Sequence, residues 1–414
     1  MYRKVLFTPQ NKKKVYSIID RMNHIDAKVP ESVVSIVDDV EKNGDRAVRK
    51  YTKMFDKVTV NKLRVSPEDI KKAYLSVDER LFRSLNTAAG NIGRFHIMQK
   101  NNLKGYTFRN TGYKITQKYL PLDSVGIYIP GGQAPLVSTV LMAGIPAIIA
   151  GVKRIVLISP PRCAGEINPY VLVAADLIGI KEIYRVGGAQ GIAALAFGTK
   201  TMPKVDKIVG PGNIYSTMAK KYLFGKVGID SINGPSEITV IADSSANVQY
   251  ICYDLMAQAE HINGHAMLIT NSAAVADKAG EILRGVDYDI TAIVVKNMKE
   301  AVELTNYKAP EHLLVCVKDP EKIVNAVTNA PAIFVGNYSP VAFGDYMAGS
   351  NHILPTNGTA KFFSGLSVFD FLKHTHIVEG SRQAMEKFGP QAEMLAEIET
   401  LDAHKRSMSA RREI

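Results

Sequence analysis

An α/β fold, with two domains on mostly parallel sheets and a helical C-terminal tail, is predicted by three observations. From about residue 122, β-branched runs alternate with stretches of helical length and periodicity, which is the pattern of βαβ units. Three of the runs end in Gly-rich loops that each open a helix, as parallel strands sharing one loop edge would. The 414 residues, 46% of them apolar, suffice for more than one buried core.

The expected strands are 125–129, 154–159, 182–186, 207–209, 237–242, 267–270, 290–295, 313–317 and 332–335. Helical patterns fill 167–178, 189–197, 214–223, 248–261, 273–283 and 299–306. So many strands exceed one comfortable sheet, and the Gly234-Pro235 break marks a crossover between two units. This gives one domain from residues 1–125 and 236–366, a second from 126–235, and a tail from 367–414.

Ahead of residue 122, residues 31–51 and 67–99 read as amphipathic helical stretches, the first interrupted at Gly44 between Asn43 and Asp45. Residues 131–152 carry no charge, but Gly131, Gly132, Pro135, Gly144, Pro146 and Gly151 punctuate them. That favours a buried layer of the fold over a membrane span. Beyond residue 366 the pattern reads as helical and is split at Gly389-Pro390, leaving a final helix of about 391–407. Its apolar stripe is Met394, Leu395, Ile398 and Leu401. A tail with so little core must dock on the body or on a second subunit.

Lys and Arg exceed Asp and Glu by 51 − 40 = 11, an excess that would suit a polyanion. The charge is dispersed, no basic helix interleaves aromatics, and Trp is absent, so no nucleic-acid partner is expected. Cys163, Cys252 and Cys316 lie far apart and give neither a disulfide framework nor a CxxC knuckle. With an N-terminus that lacks an apolar signal core, this points to the reducing cytoplasm.

Four polar islands hold most of the residues capable of chemistry: Gln258 to His261, Pro310 to His312, Gly344 to His352, and Glu399 to His404. Imidazoles and carboxylates arriving from separate elements suit a metal site or an acid/base centre. Gln258 and His261, three apart, share one face of a helix end, where a plain helix terminus is the alternative. Pro310 pushes Ala309 out of helical geometry. Glu311 and His312 then enter a strand, where both can serve one site only if the chain bends. Asp345, Asn351 and His352 lie in a segment whose glycines suggest a tight loop. Ser236 could bond a ligand, with helix capping as the default. The loops Pro130 to Gln133, Gly187 to Gln190 and Gly210 to Asn213 could cradle a nucleotide, although no full GxGxxG is present and plain tight turns remain open.

In order along nearly the whole chain, Asn43-Gly-Asp45, Tyr128-Ile-Pro-Gly-Gly132, Val186-Gly-Gly-Ala-Gln190, Gly210-Pro-Gly-Asn213, Gly234-Pro-Ser-Glu237, Gln258-Ala-Glu-His261, Pro310-Glu-His312, Gly344-Asp345, Asn351-His352 and His404 resemble the histidinol dehydrogenase family. The resemblance implies oxidation of L-histidinol through L-histidinal to L-histidine, with two NAD reduced and one water consumed. It implies domains like incomplete Rossmann folds, a bound zinc and a homodimer with a swapped tail. The implied zinc ligands are Gln258, His261, Asp345 and His404, and the NAD contacts Tyr128, Gln190 and Asn213. Ser236, His352 and Glu399, with His312 and the metal ligands, would hold the substrate, while Glu311 and His312 would move its protons. One departure is a short connection between His261 and Glu311, which leaves the local fold of residues 272–296 open. A dehydrogenase of another polar alcohol would share the metal and proton-transfer residues.

Overall fold

The computed structural model describes residues 2–24, 28–131, 136–162 and 165–412. Strand β1 (Tyr2–Leu6) is followed by helices α1 (Lys12–Met22), α2 (Glu31–Asn43), α3 (Asp45–Asp56), α4 (Pro67–Tyr74) and α5 (Glu79–Asn102). The break between α2 and α3 falls at Gly44, whose φ of +51° with ψ of −131° is a conformation that favours glycine. Asp45 then accepts hydrogen bonds from the Thr199 and Thr201 hydroxyls, which pins α3 to a distant loop. An antiparallel hairpin of β2 (Tyr106–Asn110) and β3 (Tyr113–Pro121) was not expected from the sequence. Every residue of β2 is exposed, so no alternating apolar face announces it.

The next stretch builds a five-stranded sheet from β4 (Ser124–Tyr128), α6 (Val137–Ala150), β5 (Arg154–Ser159), α7 (Pro169–Leu177), β6 (Glu182–Arg185), α8 (Gly188–Phe197), β7 (Lys207–Val209), α9 (Ile214–Leu223) and β8 (Gly228–Ile229). Its order is β6-β5-β4-β7-β8 and every pairing is parallel. The chain runs outward from β4 through β5 and β6, then reverses to place β7 on the other side of β4. At such a reversal the loops leaving neighbouring strands part and open a crevice at their carboxyl ends. Within the uncharged segment, Val137–Ala150 form α6, buried along most of its length. No described helix is long and apolar enough to cross a membrane.

A second parallel sheet follows, from β9 (Glu237–Ala242), α10 (Val248–Ala259), β10 (His265–Thr270), α11 (Ala273–Ile282), β11 (Asp289–Val294), α12 (Met298–Lys308), β12 (His312–Cys316), α13 (Pro320–Ala326) and β13 (Ala332–Val335). Its order is β1-β11-β10-β9-β12-β13. The N-terminal strand therefore closes one edge of a sheet otherwise made from residues past 236. Here too the order reverses, between β9 and β12. Residues 272–296, left open by the sequence, contain the ordered helix α11 and strand β11.

Beyond β13 come a short turn of helix, α14 (Val341–Phe343), and one π-helical turn over Gly344–Ala348. The tight loop expected around Asp345 is thus helical, and Gly349, at φ +101°, ends it. The tail is not wholly helical either. Strand β14 (Leu372–Gly380) pairs antiparallel with β3 over its full length. It is largely exposed, so its Thr375, Ile377 and Val378 gave no buried face to read. Helix α15 (Arg382–Ile398) then runs straight through Gly389-Pro390, and the break comes instead at Thr400, φ +57°, before α16 (Asp402–Ser409). A side chain at Gly389 would collide with Arg412, which folds back across α15 to pair with Glu393 at 2.7 Å. Met394, Leu395 and Ile398 remain more than 60% exposed.

Candidate active site

Glu311 and His312 meet because the chain does bend ahead of β12. Pro310 disfavours right-handed helix at Ala309, which takes a left-handed conformation at φ +50° and ends α12. The bend places the Glu311 Oε2 3.5 Å from His312 Nδ1, with both side chains buried. His312 Nδ1 lies 3.1 Å from the Glu237 carbonyl oxygen. A carbonyl can only accept, so Nδ1 keeps a proton, and any proton the ring exchanges comes and goes at Nε2. That Nε2 is buried without an aligned hydrogen-bond partner, 3.3 Å from Asp345 Oδ1. Burial works against a charged ring, but the Glu311 and Asp345 carboxylates outweigh it and raise the His312 pKa well above the ordinary imidazole range. Burial also lifts the Glu311 carboxyl, against the pull of His312.

Asp345 stands on the π-helical turn, where the looser winding turns its carboxylate toward two other elements. On one side is His312. On the other is the Gln258 amide, at 3.4 Å from Asp345 Oδ2, buried in the last turn of α10. His352 bonds the Asp345 carbonyl through Nδ1 at 2.9 Å, so its Nε2 accepts from the Thr139 hydroxyl at 3.2 Å. Burial pushes the pKa of this imidazole down, which keeps it neutral. Thr139 belongs to α6, behind β4, so His352 bridges the carboxyl edge of the five-stranded sheet and the Asp345 turn. Asn351 locks the same turn by donating to the Met142 carbonyl at 2.7 Å.

Other expected site residues lie apart from this group. His261 is exposed on the turn after α10. Ser236 leads into strand β9 and caps no helix; its carbonyl accepts from His265 N at 3.2 Å. Glu399 and His404 are exposed on the tail. Among the described residues, no three His, Cys, Asp or Glu side chains gather closely enough to hold a metal ion. Asp345, His261 and His404 therefore do not converge within one chain. The donor types nonetheless suit a borderline-soft cation: an amide oxygen, two imidazoles and a carboxylate.

Tyr128, Gln190 and Asn213 all lie at the carboxyl edge of the five-stranded sheet, around its reversal. Tyr128 ends β4, and its hydroxyl accepts the Gly188 N–H at 3.3 Å. Gln190, in the first turn of α8, is buried with its Oε1 unpartnered. Asn213 caps α9, accepting from the N–H groups of Tyr215 and Ser216. Gly210, at φ +113°, brings the β7 loop so close to β4 that a Cβ would strike the Tyr128 carbonyl. The loop of Gly131 to Gln133 lies mostly outside the described residues, as does Cys163.

A family model described as histidinol dehydrogenase matches residues 19–412. The chain belongs to the histidinol dehydrogenase family. The histidinol dehydrogenase of Caldanaerobacter subterraneus subsp. tengcongensis is 45% identical over 423 residues, covering 98% of each chain. That of Bacillus subtilis is 45% identical over 405 residues, covering 94% of this chain and 95% of its own. The crystal structure of histidinol dehydrogenase from Elizabethkingia anophelis superposes with a TM-score of 0.91 at 36% identity, covering 99% of this chain and 97% of that one. Membership in the histidinol dehydrogenase family makes this protein an oxidoreductase of histidine biosynthesis, as its motifs implied.

Three residues around the pair carried no role in the sequence reading. Thr139 had no visible signal. Lys308 closes α12 and is 1% exposed, a placement rare enough for lysine to need a partner. Glu237 stood within the Gly-Pro-Ser-Glu string, but two of its contacts with Glu311 and His312 are made by its backbone N–H and C=O, which no side-chain pattern reports.

Proposed function

We propose that the protein oxidises L-histidinol to L-histidinal and then to L-histidine, using two NAD and one zinc per site, as a cytoplasmic homodimer. The observation that carries this reading is the contact of Glu311, His312 and Asp345 in a chain of this family. His312, in its deprotonated form, takes the carbinol proton in the first oxidation at Nε2, the ring nitrogen not committed to a carbonyl. Glu311, its carboxyl raised by burial, draws a proton from the water that hydrates the aldehyde in the second. Each oxidation removes one hydride, and the second also adds the water oxygen, so alcohol, aldehyde and acid balance.

Gln258, His261 and Asp345, with His404, are the groups we assign to zinc. When bound, the metal would grip the amine and imidazole of histidinol and so fix the carbinol carbon. His352, neutral and held by Asp345 and Thr139, together with Ser236 and Glu399, would line the substrate. NAD, the acceptor of both hydrides, is assigned to the crevice between β4 and β7. There Tyr128, the unpartnered Gln190 Oε1 and the α9 terminus at Asn213 offer polar contacts. We assign residues 126–235 to an NAD-binding domain, residues 1–125 with 236–366 to the other, and 367–414 to a tail exchanged between subunits. The exposed Met394, Leu395 and Ile398 support that exchange. The buried free thiols of Cys252 and Cys316 suit a reducing compartment.

Zinc can be tested by removal. Dialysis against a chelator should abolish histidinol turnover, and equimolar zinc should restore it. Full activity in metal-free protein would reject the metal assignment.

A further inference from the structure

Outside the assigned groups, Glu237 is a densely connected polar residue, 0% exposed at the start of β9. Its backbone N–H donates to Glu311 Oε2 at 2.9 Å, and its carboxylate Oε1 accepts the Glu311 N–H at 3.2 Å. Each of the two glutamates thus takes the other's amide proton. The exchange falls one residue before β9 and β12 begin their ladder, which starts with His312 opposite Ile238. Two carboxylates continue the pairing where the backbone bonds stop. The Glu237 carbonyl also fixes the tautomer of His312.

The remaining carboxylate oxygen, Oε2, is ion-paired with Lys308 Nζ and lies 2.8 Å from His265 Nε2. Lys308 is itself braced by Asn23, whose Oδ1 accepts from Nζ at 2.7 Å and whose Nδ2 donates to the Lys308 carbonyl at 2.9 Å. Burial alone would raise the Glu237 carboxyl, but Lys308 and His265 hold it down at about 2, so it stays a permanent acceptor. A buried ion pair adds little stability over an apolar pair of the same volume. Its effect here is to direct Oε1 at a single N–H.

We infer that Glu237, held in place by Lys308, is the positioning residue of the proton-transfer pair, fixing where Glu311 presents its carboxylate and His312 its Nε2. This rests on the reading of Glu311 and His312 as the proton-transfer groups. No contact of Glu237 with substrate or cofactor is needed; it acts through its two neighbours.

The test compares two double variants of the full-length, zinc-loaded enzyme. Both Glu237→Gln/Lys308→Met and Glu237→Leu/Lys308→Met remove the buried charges, but only the first keeps an oxygen to accept the Glu311 N–H. The first should hold kcat within about threefold of the parent. The second should lose about 10- to 100-fold in kcat while its KM for histidinol stays within about twofold, since misaligned catalytic groups slow the reaction without loosening the substrate. Equal kcat in the two, or losses that track melting temperature, would overturn the inference. Should the Leu/Met protein not fold, Glu237→Met/Lys308→Met, whose unbranched side chain follows the path of glutamate without its oxygen, carries the test. Its kcat, normalised to sites that bind histidinol, should fall at least about tenfold at constant KM, and an unchanged kcat overturns the inference. Glu311→Gln serves as the control. If it retains full activity on alcohol and aldehyde, the parent reading fails; if it is impaired while Leu/Met is not, only the role of Glu237 fails.

Discussion

Glu311→Gln is expected to stop the second oxidation far more completely than the first. The amide keeps the shape of the side chain and can still accept the Glu237 N–H, but it cannot take a proton from water. Removal of a general base costs about 10²- to 10⁴-fold in the step that uses it. That loss should appear when histidinal is supplied, with a loss of no more than about tenfold in NADH formation from histidinol. The smaller effect on the alcohol arises because His312 Nε2 remains in place to receive the carbinol proton. His312 would still be flanked by Asp345, so its basicity would fall without collapsing. Supplying the two substrates separately, in single turnovers, measures both numbers. Equal losses on alcohol and aldehyde would show that the two residues do not divide the work.

Activity should also pass between two dead proteins. His261→Ala removes a proposed zinc ligand on the body and His404→Ala a proposed one on the tail, and each variant alone should be inactive. Unfolded and refolded together as an equal mixture, about half the dimers are mixed, and a swapped tail leaves one of their two sites with neither lesion. About a quarter of the parent activity should return. If His404 instead serves the subunit it belongs to, every site keeps a lesion and the mixture stays inactive. The exposure of His261 and His404, and of the apolar stripe between Met394 and Ile398, is what a tail poised for a neighbour would present.

Much of the architecture is legible because burial writes a pattern. Strands β4, β9, β10 and β12 are buried on both faces, and their unbroken apolar runs stand out between glycines and helical periods. Among the strands that escaped notice, β2, β3 and β14 form a hairpin extended by one strand, with exposed or half-exposed faces. Their residues satisfy backbone pairing without burying a side, so hydropathy carries no trace of them. Strand β1 is similar, lying at a sheet edge with Arg3 and Lys4 exposed. Pro390 misled in the other direction. A proline is read as a helix break because it removes a donor, yet α15 continues through it and turns instead at Thr400.

The site divides in the same way. Glu311, His312, Asp345 and His352 are readable because their polar side chains stand in short islands within an apolar sequence. Local strand rules said Glu311 and His312 should face apart, and the left-handed Ala309 resolves that conflict. Glu237 was invisible as a participant because two of its three contacts with the pair are made by its own N–H and C=O. His404 lies exposed on the tail, apart from Asp345, a placement that no local pattern in the sequence reports.

The central claim, a four-electron oxidation at one site, is most directly tested by stoichiometry. A limiting amount of histidinol, exhausted with excess NAD and zinc-loaded enzyme, should yield two NADH per histidinol, with histidine as the only imidazole product. One NADH per histidinol with free aldehyde accumulating, or no histidinol-dependent NADH at all, would contradict the account.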